Sequence, residues 1–140
     1  MSRAALSAFL LAATTLAGCG PEANSLPPPP PHGGTAFPLP EGKGFVEALR
    51  QDVPEKPGQS KVVVYFFDAQ SKPLSSALTA VSFQQRGRGV AQVALKPTED
   101  TDPSKAGGLV SSPFNDPGDI AGMLSATIDS KPVSIAISVR

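Results

Sequence analysis

The stretch KVVVYFFD at 61–68 constrains the chain most. In an extended strand successive side chains point to opposite faces, so Val62, Val64 and Phe66 fall on one side and Val63, Tyr65 and Phe67 on the other. Both sets are apolar, and β-branched and aromatic residues favour a pleated surface. Such a run belongs in a central strand covered on two sides.

Other segments agree. ALTAVSFQ (77–84), GVAQVALK (89–96) and LSATI (124–128) read as strands, and FVEALR (45–50) as a short one. In VSIAISVR (133–140), Val133, Ile135, Ile137 and Val139 alternate with Ser134, Ala136, Ser138 and Arg140, which predicts one buried and one polar face. Two near-identical turns, SKPLS after Asp68 and SKPVS after Asp129, read as one solution used twice, with proline setting φ and the aspartate holding the turn backbone. Several short strands, Gly/Pro turns and no convincing helix predict an all-β domain over 44–140, an immunoglobulin-like β-sandwich. Its 97 positions are enough to bury a core without disulfides.

The first 43 residues read differently. Arg3 is a minimal positive region, and Ala4 to Ala17 is an apolar run of fourteen, too short for a bilayer that needs about 20. It ends in Leu16-Ala17-Gly18-Cys19, which resembles the lipobox of bacterial lipoproteins. In that family a lipid alkylates the cysteine thiol and a peptidase cuts before it. The resemblance implies a signal peptide over 1–18, cleavage between Gly18 and Cys19, and acyl chains on Cys19 that hold the protein to a membrane. Two or more chains anchor stably, since each buried CH₂ contributes about 0.8 kcal/mol. Gly20 follows, where an aspartate would direct inner-membrane retention in enteric bacteria, so the resemblance points to the outer membrane. From 19 to 43 there is no apolar periodicity. PPPPP at 27–31 lacks N–H donors and should adopt polyproline II, which predicts a disordered, proline-rich tether up to the folded domain.

Composition excludes several chemistries. The chain has 12 basic and 12 acidic side chains; without Arg3 the mature form has 11 and 12, a formal charge of −1. No basic stripe offers a nucleic-acid footprint. Cys19 is the lone cysteine and His32 the lone histidine. No G-x-S-x-G, H-E-x-x-H, P-loop or C-x-x-C occurs, so neither a catalytic centre nor a cofactor is expected. His32, in the expected tether, is a weak candidate metal ligand, because transition-metal sites need three or four converging donors. Met123 is expected in the core. Glu99, Asp100 and Asp102, with Asp116 and Asp119 beyond, read as a solvated acidic loop; an EF-hand starting at Asp100 would have Lys105 and Ser111 where glycine and glutamate are required. Arg86 and Arg88 are expected at a hairpin tip.

A second resemblance covers about 32–140. HGG, the VVVYFFDAQSKPL strand and turn, VALKP and the closing IDSKPVSI hairpin resemble a group of small exported bacterial proteins. They are also similar to an N-terminal β domain on some periplasmic adaptors of heavy-metal efflux systems. The resemblance implies a small β domain, and for the metal-associated relatives several histidines or methionines, where this chain offers His32 alone. The expectation is a lipid-anchored cell-envelope protein presenting a non-catalytic binding module to an envelope partner. The alternative is an accessory metal-handling protein of an efflux or homeostasis system.

Overall fold

The computed structural model describes residues 27–74, 78–87, 92–99, 107–115 and 118–140. Two antiparallel sheets pack face to face. The first contains β1 (Thr35–Pro38), β2 (Phe45–Asp52), β3 (Gln59–Phe67), β6 (Lys96–Pro97), β7 (Leu109–Val110) and β8 (Phe114–Asn115), ordered β1-β2-β3-β7-β6 with β8 also on β3. The second is ordered β10-β9-β4-β5, from β4 (Leu78–Gln85), β5 (Val93–Ala94), β9 (Ile120–Ile128) and β10 (Lys131–Val139). The strands β2, β3, β7/β8 and β6 take the A, B, E and D places of an immunoglobulin sheet, and β10, β9, β4 and β5 take G, F, C and C′. The fold is an all-β sandwich with that topology, as the strand pattern predicts.

Local chemistry explains the details. Strand β3 is central and apolar on both faces: Val62, Val64 and Phe66 enter the inter-sheet core, while Val63, Tyr65 and Phe67 form a second cluster with Phe45 on the outer side of the first sheet. Across the main core, β9 supplies Ile120, Leu124 and Ile128 and β10 supplies Ile137 and Val139. Val133 and Ile135, expected to be equally buried, are half-buried, so burial along the edge strand β10 deepens toward Ile137 and Val139. The place of one long strand opposite β3 is taken by two short pieces. Between them Ser111, buried, accepts the Val62 N–H on its Oγ at 3.0 Å, so the hydroxyl replaces a ladder carbonyl.

Three expectations change. The run 89–96 is not one strand: Val93–Ala94 pairs with β4 and Lys96–Pro97 with β7, so the chain changes sheets at Leu95, whose N–H donates to the Val81 carbonyl. Residues 88–91 lie outside the described ones. The two SKP turns are different turns. Asp129 and Ser130 have φ of 49° and 64° and close a two-residue hairpin of type I′, whereas the earlier loop runs from Asp68 to Lys72. There Asp68 Oδ1 accepts the N–H groups of Gln70 and Lys72, both at 2.8 Å, as expected. In both turns the serine, Ser71 or Ser130, takes a positive φ, and the proline follows as a paired residue. Finally, the folded domain does not begin at 44. Thr35–Pro38 pairs along its whole length with Phe45–Ala48, so the sheet takes in much of the expected tether.

Candidate functional site

The segment before β1 is held by a charge buried in β2. FVEAL alternates apolar residues around Glu47, which is fully buried. In the sheet Glu47 stands between Ala36 of β1 and Tyr65 of β3. A buried carboxylate is costly unless donors surround it. Here the HGG motif supplies them. The backbone N–H of His32 donates to Glu47 Oε1 at 2.9 Å, and that of Gly34 to the same oxygen at 2.8 Å. His32 Nδ1 lies 2.7 Å from Oε2. The two backbone donors mark the carboxylate as an acceptor, so Nδ1 carries its proton toward it.

Each residue of HGG has its own task. The imidazole stacks on Tyr65, with centroids 3.8 Å apart and planes at 14°, and its side chain is 17% exposed. Gly33 has φ +77°, a conformation that costs other residues strain. A Cβ on Gly34 would stand 2.6 Å from the Ala48 carbonyl oxygen, so only glycine lets this backbone reach the carboxylate. His32 is therefore not a solvated tether residue. It closes over the outer aromatic cluster and ties the amino-terminal segment to the sheet.

Three donors, the N–H groups of His32 and Gly34 and the His32 ring, converge on the Glu47 carboxylate and tie the segment to the sheet. Among the described residues no group of three His, Cys, Asp or Glu side chains could hold a metal ion. No family model, curated protein or solved structure matches the chain. The site must therefore be read from its own geometry.

Elsewhere the second sheet carries a groove of about 780 Å³, lined by Phe37 of β1, Gln84 and Arg86 beside the end of β4, Met123 of β9, and Ala136 and Ser138 of β10. Met123, expected in the core, is 42% exposed here. The reason is register: Ile120, Leu124, Ala126 and Ile128 of β9 face the core, which leaves Met123 on the opposite face beside Gln84 and Ala136.

Several sequence candidates receive no placement. Gly18 and Cys19 lie outside the described residues, as do Arg88, Asp100, Asp102 and Asp116. Asp119 sits 3.5 Å from Arg140 in an exposed ion pair, and Glu99 is exposed. The functional residue that composition alone did not single out is Glu47. Its signal was present: a lone acid between apolar neighbours, in a strand that needed both faces covered.

Proposed function

We propose that this chain is an exported, lipid-anchored envelope protein that presents its β-sandwich as a non-catalytic binding module. The observation that carries the binding half is the groove around Met123. Concave apolar surface rimmed by a few polar groups is where soluble domains take partners. Glu47, the only buried charged side chain among the described residues, is already engaged in the fold. The anchoring half rests on Leu16-Ala17-Gly18-Cys19. A metal-handling role would rest on His32 Nε2, with Glu47 orienting the ring through Nδ1, but no group of three His, Cys, Asp or Glu side chains gathers there among the described residues.

One experiment tests both halves. Cells expressing the full chain are labelled with radioactive palmitate and treated with an amine-reactive cross-linker. Palmitate should enter the wild type and not Cys19→Ser. Met123→Arg should keep the lipid and lose an adduct to a second envelope protein. Equal labelling of wild type and Cys19→Ser would remove the anchor, and adducts indifferent to Met123→Arg would remove the groove as the binding surface.

A further inference from the structure

A β-sandwich must protect the edges of its sheets, since an open edge offers unpaired N–H and C=O groups to any extended chain. Among the described residues three of the four edges are blunted. The first sheet ends in β1, four residues closing on Pro38, and in β6, which is Lys96–Pro97. The second sheet ends on one side in the two residues of β5. On the other side it ends in β10, nine residues long. Lys131 and Pro132 guard one end of β10 and Arg140 the other, but nothing charged lies between them.

The hairpin determines which backbone groups of β10 face outward. A two-residue type I′ turn makes Ile128 and Lys131 a hydrogen-bonded pair. Alternate residues from Lys131 onward, through Val133, Ile135, Ile137 and Val139, then exchange their bonds with β9. Ser134, Ala136 and Ser138 direct both their N–H and C=O groups away from the sheet. Their side chains are small and exposed, so nothing of their own covers those groups.

The residues Val133 to Val139 read VSIAISV, a palindrome about Ala136. Antiparallel pairing of this strand with a second copy of itself sets like opposite like: Val133 with Val139, Ser134 with Ser138, Ile135 with Ile137, and Ala136 with Ala136. The outward-facing residues Ser134, Ala136 and Ser138 fall in register as hydrogen-bonded pairs, about six bonds by the antiparallel rule. The half-buried Val133 and Ile135 meet β-branched partners at the closer, non-bonded positions, where cross-strand pairs are most favourable. No like charges are forced together within the palindrome.

We propose that β10 is a self-association edge, through which two copies of this chain pair antiparallel about a two-fold axis at Ala136. The order becomes β5-β4-β9-β10 continued by β10-β9-β4-β5 of the second copy, a single eight-stranded sheet from two four-stranded ones. The interface is isologous and closes on itself, so it gives a dimer and not a fibre. It does not depend on the lipid, but it shares Ala136 and Ser138 with the groove, so pairing of two copies and occupancy of the groove draw on the same strand. The dimer differs from both in readout, because the adduct is twice this chain's own mass.

Cysteine cross-linking in the full chain carrying Cys19→Ser, which then has no thiol of its own, tests the register. Hydrogen-bonded antiparallel partners have Cα atoms about 5.5 Å apart, within disulfide reach. Ala136→Cys should give a disulfide-linked dimer under a mild oxidant. Ser134→Cys should give at least tenfold less, because the two copies of that position lie four residues, about 13 Å, apart along the strands. Mixing Ser134→Cys with Ser138→Cys should restore the dimer. Equal cross-linking of Ala136→Cys and Ser134→Cys would overturn the register. Absence of the Ala136→Cys dimer at about 100 µM, in protein whose β circular dichroism matches the parent, would overturn the association.

Discussion

At the scale of single residues, Glu47 and His32 govern how the amino-terminal segment behaves. A buried acceptor stripped of one donor costs more than the bond itself contributed, because desolvation is then uncompensated. His32→Ala removes the Nδ1 donor and the ring over Tyr65, and should cost about 1.5–3 kcal/mol. Glu47→Ala leaves the His32 and Gly34 N–H groups without an acceptor and should cost about 3 kcal/mol or more. Denaturant titrations of the two single variants and the double variant close a cycle, for which we expect a coupling above about 1 kcal/mol. Additive effects would mean that the imidazole and the carboxylate do not act together. Glu47 stands out locally only as a lone acid among apolar residues, and its partner is fifteen positions away. His32 sits beside a proline run that reads as linker, and only the folded sheet brings Glu47 beneath it.

At the scale of elements, strands with a strong apolar alternation were legible and short ones were not. The segments 45–50, 61–68, 77–84, 124–128 and 133–140 all lie in or overlap strands, because the periodicity is a local property of sequence. Thr35–Pro38 has too few residues to show a period, and is a strand only because β2 offers it an edge. The switch at Leu95 and the register shift between Thr79 and Ser82 in β4 depend on which sheet each half meets. Burial along β10 gives a graded expectation. Ile137, at 2% exposure, should not accept a charge: Ile137→Asp should cost about 4 kcal/mol or more, the range of uncompensated buried groups. Ile135→Asp, half-buried at the edge, can lead its carboxylate to water and should keep a cooperative but lowered melting transition. Thermal melts followed by circular dichroism distinguish the two, and equal loss would place Ile135 as deep as Ile137.

At the scale of the whole molecule, the sandwich includes its own amino-terminal strap. A chain beginning at residue 44 lacks β1 and both glycines of HGG, yet keeps Glu47 with none of the three donors that satisfy it. It should melt well below a chain beginning at residue 27, by roughly 10 °C, since about 2–3 kcal/mol shifts a domain of this size by several degrees for each kcal/mol. Equal melting temperatures would mean that the strap rests on the sheet without stabilising it.

The docking of His32 also changes a length. A chain extends at most about 3.5 Å per residue. Were the body to begin at 44, it would hang 25 residues from Cys19, with a maximum span of about 88 Å. Clasped at His32, the body lies 13 residues from Cys19, a span that cannot exceed about 45 Å. With Cys19 in a membrane, the groove and the open edge of β10 would sweep a shell of about half the radius, and hence roughly an eighth of the volume. Each copy would then meet its neighbours at a correspondingly higher local concentration. If Cys19 carries lipid, a hydrogen bond to one buried glutamate would set the height at which this protein searches.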